Sequence, residues 1–395
     1  MLKSVTRTIL RLCRAADRKG ADRVLYVQYT NPAAYPPLEH SSHILADAGW
    51  DVLFLGTGAF LDADALRFRP YPGIQVRQLR FCGSRWKNKL HYGWFCAWCV
   101  WWAFWWRPRL VYASDTLACA PALLLSRLLK LKLVYHEHDC PGPAPGVLMR
   151  FCMKARRACA RKAVLCILPN AQRADWFVAE TRRRNGVEVV WNCPELREIA
   201  VSSSHLPSGL RVIYHGSISH LRLSIIEAIA LLPENVSLTI VGYETIGSQG
   251  HTQALLAHAK HIGIQNRVHC VGPQSRSNLM EICATCHVGL ALIPHDNKDR
   301  NLQALTGASN KSFDYLACGL AVLVPDLPDW REMFVQTRYG LACNPADPDS
   351  IAAALHWFHE HPEERARMGE RGRTRILNEW NYETQFQPVL HLLNL

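Results

Sequence analysis

The chain has 395 residues, 49% hydrophobic and 20% charged, with 23 Gly and 22 Pro. That length suggests two domains, the composition excludes collagen-like, low-complexity and disordered chains, and no apolar run reaches the roughly 18 residues of a membrane-spanning helix. The net charge of +12 is uneven: residues 1–200 hold 30 Lys+Arg against 15 Asp+Glu, and residues 201–395 hold 15 against 18, so only the first half suits an anionic surface.

Residues 1–19 read as a basic amphipathic helix. Leu2, Val5, Ile9 and Leu12 fall on one face, with Arg7 and Arg11 among the cations on the other. Those arginines interrupt any apolar core, so a secretory signal is not expected. Short apolar strands then alternate with helices: a strand from Arg23, a helix from about Glu39 to Ala48, and strands at Asp51–Leu55, Leu110–Ser114, Leu131–His136, Ala163–Leu168 and Val187–Trp191. The Ser-rich stretch 201–209 reads as a linker, and the alternation restarts beyond it. Strands at Arg211–His215, Ser237–Gly242, Val268–Gly272, Val288–Ile293 and Ala321–Val324 are interleaved with helices such as His251–His261 and Lys311–Ala317. The pattern predicts an α/β chain of two tandem Rossmann-like, doubly wound domains facing each other across a cleft. Ligands in such folds sit beyond the carboxyl ends of the strands. The expected domains are 1–200 and 210–372, with C-terminal helices over 373–395 that could cross back to the first domain.

Between Leu66 and Arg109 there are nine Lys or Arg, no acid, and seven of the thirteen Trp. Trp94, Trp98, Trp101, Trp102, Trp105 and Trp106 fall on one side of a helix expected within 86–109, bracketed by Gly93 and Pro108. A core helix would explain the spacing, but burying six indoles demands a partner for each N–H. Trp favours the membrane interface and Lys/Arg favour anionic headgroups, so this helix and the N-terminal one are expected to face an anionic membrane. Nucleic acid ranks below that, because the indoles do not form a spaced stacking platform on strands. Fifteen scattered cysteines, an odd number, fit a reduced compartment rather than a disulfide framework. Cys283-Ala-Thr-Cys286-His287 matches a haem-attachment pattern that Cys-rich chains produce by chance. Neither haem nor a zinc site with Cys96 and Cys99 is expected.

Several segments carry a family resemblance. Asn310-Lys-Ser-Phe-Asp-Tyr-Leu-Ala-Cys-Gly-Leu-Ala-Val-Leu-Val-Pro resembles the "PNKxFEYMAxGxPVVxS" stretch of the retaining family 4 glycosyltransferases, which have the two-Rossmann GT-B fold. Leu238-Thr-Ile-Val-Gly242, Arg267-Val-His-Cys-Val-Gly, Val190-Trp-Asn-Cys-Pro and Val134-Tyr-His-Glu-His-Asp follow in matching order, so the resemblance covers nearly all of residues 22–380. It implies transfer of a sugar from a nucleoside-diphosphate donor with retention of configuration and without a metal or other cofactor. The donor site would include Gly216, Ser217, Gly242, Asn310, Lys311, Ser312 and Asp314, with Asp314 on the nucleotide ribose. Gly216 allows close backbone approach to a diphosphate, and Lys311 adds charge at a helix N-terminus. The family's second cation falls on His220 or Arg222; Arg222 is favoured because a guanidinium grips phosphate at any pH. Thr306 stands where the family has its first acid. His138 would contact the donor sugar and Asp139 would accept from the acceptor hydroxyl.

The expected function is a membrane-associated glycosyltransferase on the cytoplasmic face of the inner membrane. Its acceptor would be lipid-linked or a cell-surface glycan, as in polysaccharide, glycolipid or lipopolysaccharide synthesis. A catalytically weak partner subunit, or a nucleotide-sugar epimerase on the same fold, is the alternative. The sequence carries no signal of oligomeric state.

Overall fold

The computed structural model describes residues 22–59, 64, 66–83, 86–142, 146–199, 208–294 and 299–394. The basic segment 1–19, with Arg7 and Arg11, and most of the 201–209 stretch lie outside them.

The first domain is a seven-stranded sheet in the order β3-β2-β1-β4-β5-β6-β7. Its strands are β1 (Arg23–Val27), β2 (Asp51–Thr57), β3 (Ile74–Leu79), β4 (Leu110–Ser114), β5 (Lys132–His136), β6 (Leu165–Leu168) and β7 (Val187–Val189). Every neighbouring pair is parallel. Helices α1 (Pro36–Asp47), α2 (Lys87–Trp106), α3 (Asp115–Leu128), α4 (Val147–Lys162) and α5 (Ala171–Thr181) connect them. Val24–Val27 and Val52–Leu55 are fully buried because helices cover both faces of the sheet. The helix α1 starts at Pro36, three residues before the expected Glu39, because proline suits the first helical turn. The edge strand β3 was not expected; Ile74-Gln-Val-Arg-Gln-Leu is half-buried and carries little apolar signal.

The second sheet has the order β10-β9-β8-β11-β12-β13. It contains β8 (Leu210–Ser217), β9 (Val236–Tyr243), β10 (Val268–Val271), β11 (Val288–Leu290), β12 (Ala321–Pro325) and β13 (Gly340–Cys343). Around it lie α6 (Ser224–Ala230), α7 (His251–His261), α8 (Arg276–Ala284), α9 (Asn310–Ala317), α10 (Pro348–Glu360) and α11 (Pro362–Asn378). The last helix, α12 (Tyr382–Asn394), leaves this domain. Its Tyr382, Phe386, Val389 and Leu393 are buried with Val24, Tyr26, Leu38 and Leu45 in the core of the first domain.

The Trp-rich helix departs from expectation in two ways. Gly93 lies inside α2 rather than at its start, since the helix begins at Lys87. The six indoles do not share one environment. At 3.6 residues per turn they span about 140° of arc, and the edge of the core cuts through that arc. Trp98, Trp102 and Trp106 pack against Phe95, Cys99 and Ala103 in the core, whereas Trp94, Trp101 and Trp105 are 62%, 52% and 70% exposed.

Candidate active site

The strand ends of both sheets face a cleft of about 840 Å³. On its second-domain wall, β8 ends in Tyr214-His215-Gly216-Ser217. Gly216 has φ +101°, and a Cβ there would meet Lys311 Nζ at 3.1 Å. Only glycine takes that conformation readily while letting the lysine close over the turn. Gly242, beside it on β9, has a packing role: a Cβ would lie 2.0 Å from the Gly216 carbonyl oxygen. Lys311 is the second residue of α9, with its Nζ 5.5 Å from the centre of the Tyr214 ring. Burial pushes its ammonium down to about 8, against the pull of Asp314. Ser309 takes the N-cap position with extended backbone, but its side chain does not cap the helix. Ser312 is buried and its hydroxyl has no partner. The first turn of α9 and Lys311 together make a positive end pointing at the Gly216 turn.

Asp314 is fully buried. Both of its oxygens accept from Arg276 at 2.6 Å, and His215 Nε2 lies 3.3 Å from Oδ2. Burial works to raise its pKa, but Arg276 and His215 prevail and hold it below the usual carboxylate value. A carboxylate so engaged acts as part of an Arg–Asp–His group rather than as a lone acceptor. Arg276 also donates to Glu198 at 2.9 Å, and Glu198 pairs with His40 of α1 at 3.1 Å. A charged chain thus runs from the first domain to this wall. Sequence reasoning missed Arg276; its position at the start of α8, just past the β10 carboxyl end, was the available signal. Arg222 is half-buried and does not line the cleft. Thr306 is also outside the lining and donates to Asp329.

On the opposite wall, His138 and Asp139 follow β5 and line the cleft. His138 is 4% exposed, its ring 3.8 Å from His136 and 5.4 Å from Tyr35. Burial pushes its pKa down to about 4, so the ring is neutral at pH 7, and neither nitrogen has a partner. Asp139 is 61% exposed on its side chain, 4.0 Å from Arg173. Two groups absent from the sequence reading hold this loop. Asp115 Oδ1 accepts from the backbone N–H of His138 at 2.8 Å and of Asp139 at 3.4 Å. Asp115 itself sits at φ +62°, and burial pushes its carboxyl up to about 6. Arg173 donates to the carbonyls of His138 (2.6 Å), Asn301 and Ala304 (both 2.9 Å), tying the loop to the second domain. The adjacent Glu137 turns away into a buried pair with Arg156, and His136 bonds the Tyr112 hydroxyl at 2.7 Å. His287 of the Cys-x-x-Cys-His match accepts from the Arg211 backbone at 2.9 Å.

Residues 224–391 match the family model described as glycosyl transferase-like. No curated protein matches the chain. Among solved structures, HepE of Anabaena in complex with UDP and glucose superposes with a TM-score of 0.69 at 18% identity, covering 94% of this chain and 99% of that one. Sucrose-phosphate synthase of Thermosynechococcus elongatus gives 0.68 at 13% identity, covering 94% and 98%. An E. coli structure titled trehalose-6-phosphate, bound with UDP-2-fluoro glucose, gives 0.65 at 14%, covering 95% and 99%. The architecture is therefore the GT-B fold, and the second domain is glycosyl transferase-like.

Proposed function

We propose that the protein is a glycosyltransferase that moves a sugar from a nucleoside diphosphate to an acceptor hydroxyl. The observation that carries this reading is the meeting of the Gly216 turn, Lys311 and the α9 N-terminus on one wall, opposite His138 on the other. Backbone N–H groups and Lys311 suit a diphosphate. The neutral His138 ring, with an unpartnered N–H, suits donation to a sugar hydroxyl or to the charge that develops as the glycosidic bond breaks. Asp139, open to the cleft, suits an acceptor hydroxyl.

Independence of metal fits the reading, because Lys311 and the helix end already offer the diphosphate positive charge; retention of configuration is what the family resemblance implies. The relatives crystallised with UDP or UDP-sugars make uridine nucleotides the first donors to test. The basic, Trp-rich first domain supports an acceptor that is lipid-linked or part of a cell-surface glycan, met at the cytoplasmic face of a membrane.

Thermal shift against UDP-, GDP- and ADP-sugars, followed by mass spectrometry of transfer products in the presence of EDTA, tests the reaction. His138→Ala should keep donor binding and lose turnover, the pattern of a contact made mainly in the transition state. Near-normal kcat in that variant would remove His138 from the chemistry.

A further inference from the structure

The helix α2 is apolar nearly all round, a composition that normally marks a buried helix. Its inner half is in the core, but its outer half is bare. Trp94, Trp101, Phe104 and Trp105 are each more than half exposed, and Trp86 and Leu90 continue the same stripe. Single exposed apolar side chains are ordinary; a contiguous aromatic stripe marks an interaction surface.

The stripe does not stand alone. Phe95 and Cys99 of α2, Ala118 and Ala122 of α3, and Ala155 and Cys159 of α4 share one core cluster. The three helices therefore lie on the same face of the first sheet, and their outer sides form one surface. On it α3 exposes Leu124 and Leu128, and α4 exposes Val147 and Phe151.

Charge selects the occupant. Lys87, Lys89, Arg107, Arg127, Lys130, Arg150, Lys154 and Arg157 are exposed on or beside these helices. No acid occurs between residues 66 and 114 or between 140 and 174. The chain's own N-terminal segment is equally basic and would be repelled from this surface, as would a second copy of it. An anionic partner with an apolar interior fits: indoles at headgroup depth and cations beside lipid phosphates.

We propose that the outer surface of α2, α3 and α4 is the seat of an anionic lipid bilayer. This rests on the reading of the protein as an enzyme working at a membrane, and it names where the membrane lies. Trp98, Trp102 and Trp106 belong to the core and stay out of the lipid.

The test is co-sedimentation of the full chain with vesicles of phosphatidylcholine, alone or mixed with phosphatidylglycerol. The unmodified protein should bind the mixed vesicles, and raising salt should weaken binding without abolishing it. Trp101→Ser/Phe104→Ser/Trp105→Ser should keep its thermal transition and lose the salt-resistant part. Lys87→Ala/Lys89→Ala should lower low-salt binding, roughly fivefold for each charge. Should the triple variant fail to fold, brominated lipids in the mixed vesicles should quench the Trp fluorescence of the unmodified protein.

Equal partition onto neutral and anionic vesicles would overturn the proposal, as would a folded triple variant that binds like the parent in high salt. So would an absence of quenching, or binding of a single-stranded RNA in place of vesicles. UDP-induced thermal shift in the same variants reads the donor site separately, so failure of the docking face and failure of the glycosyltransferase reading remain distinct.

Discussion

Burial holds Lys311 in an unusual state for a lysine that lines the cleft. Burial disfavours its ammonium and brings its pKa down to about 8. A bound diphosphate favours the charged form and raises that pKa. Donor affinity should therefore be full below pH 8 and fall as pH rises past it, by up to about tenfold per pH unit. Lys311→Ala should cost about 1.5–3 kcal/mol of donor binding and flatten that pH dependence; titration calorimetry at pH 7 and pH 9 reads both. Asp115 acts through another residue. Its carboxylate fixes the backbone that aims His138, and its positive φ is one that asparagine tolerates and alanine does not. Asp115→Ala should lower kcat with little change in donor KM, and Asp115→Asn should restore most of it. Equal kcat in the two variants would show that the loop keeps its aim without this contact. The place of Gly216, Lys311, His138 and Asp139 at the cleft was legible from motif and strand order. Asp115 and Arg276 were not: each follows a strand's carboxyl end, but its partner lies 23 or 38 positions away and only the fold brings the two together.

The elements were legible where burial is two-sided and the apolar run continuous, as in β1, β2 and β12. They were lost where one side faces solvent, as in β3, or where small residues leave little apolar signal, as in the Gly340-Leu-Ala-Cys of β13. The helix α2 shows the limit of periodicity. Spacing placed six indoles on one arc, but only the packed sheet decides which part of that arc is core. The division has energetic consequences. Trp98→Ser should cost about 1.5–3 kcal/mol, since it strips apolar contact from the core. Trp105→Ser should change stability by less than about 0.5 kcal/mol. Urea unfolding of the two variants measures the difference, and equal losses would contradict the assignment of the inner and outer faces.

On the scale of the whole molecule, the domains are joined by more than their linker. Asn170 donates to the carbonyls of Ala304 and Thr306 at 2.9 and 2.8 Å, and Asn192 donates to that of Ala308 at 2.7 Å. These first-domain amides grip the segment leading into α9, so the second-domain wall of the cleft is partly shaped by the domain opposite it. The backbone crosses between domains a second time after Trp380, where the Tyr382 N–H bonds the Pro194 carbonyl at 2.9 Å.

That second crossing sets the order of events at the ribosome. The first domain emerges early, but four of its core side chains arrive with the last thirteen described residues. Until then the hydrophobic seat beside Val24 and Leu38 stays open, and the domain must wait through synthesis of the second before it can close. Stopping translation after Asn381 should leave the nascent first domain protease-sensitive and aggregation-prone. The lost burial of Tyr382, Phe386, Val389 and Leu393, at roughly 1.5–3 kcal/mol each, rivals the whole stability of an ordinary domain. Pulse proteolysis of the shortened and full-length chains measures the deficit. A separately added peptide spanning residues 382–394 should repair it if the docking of that helix is all that is missing.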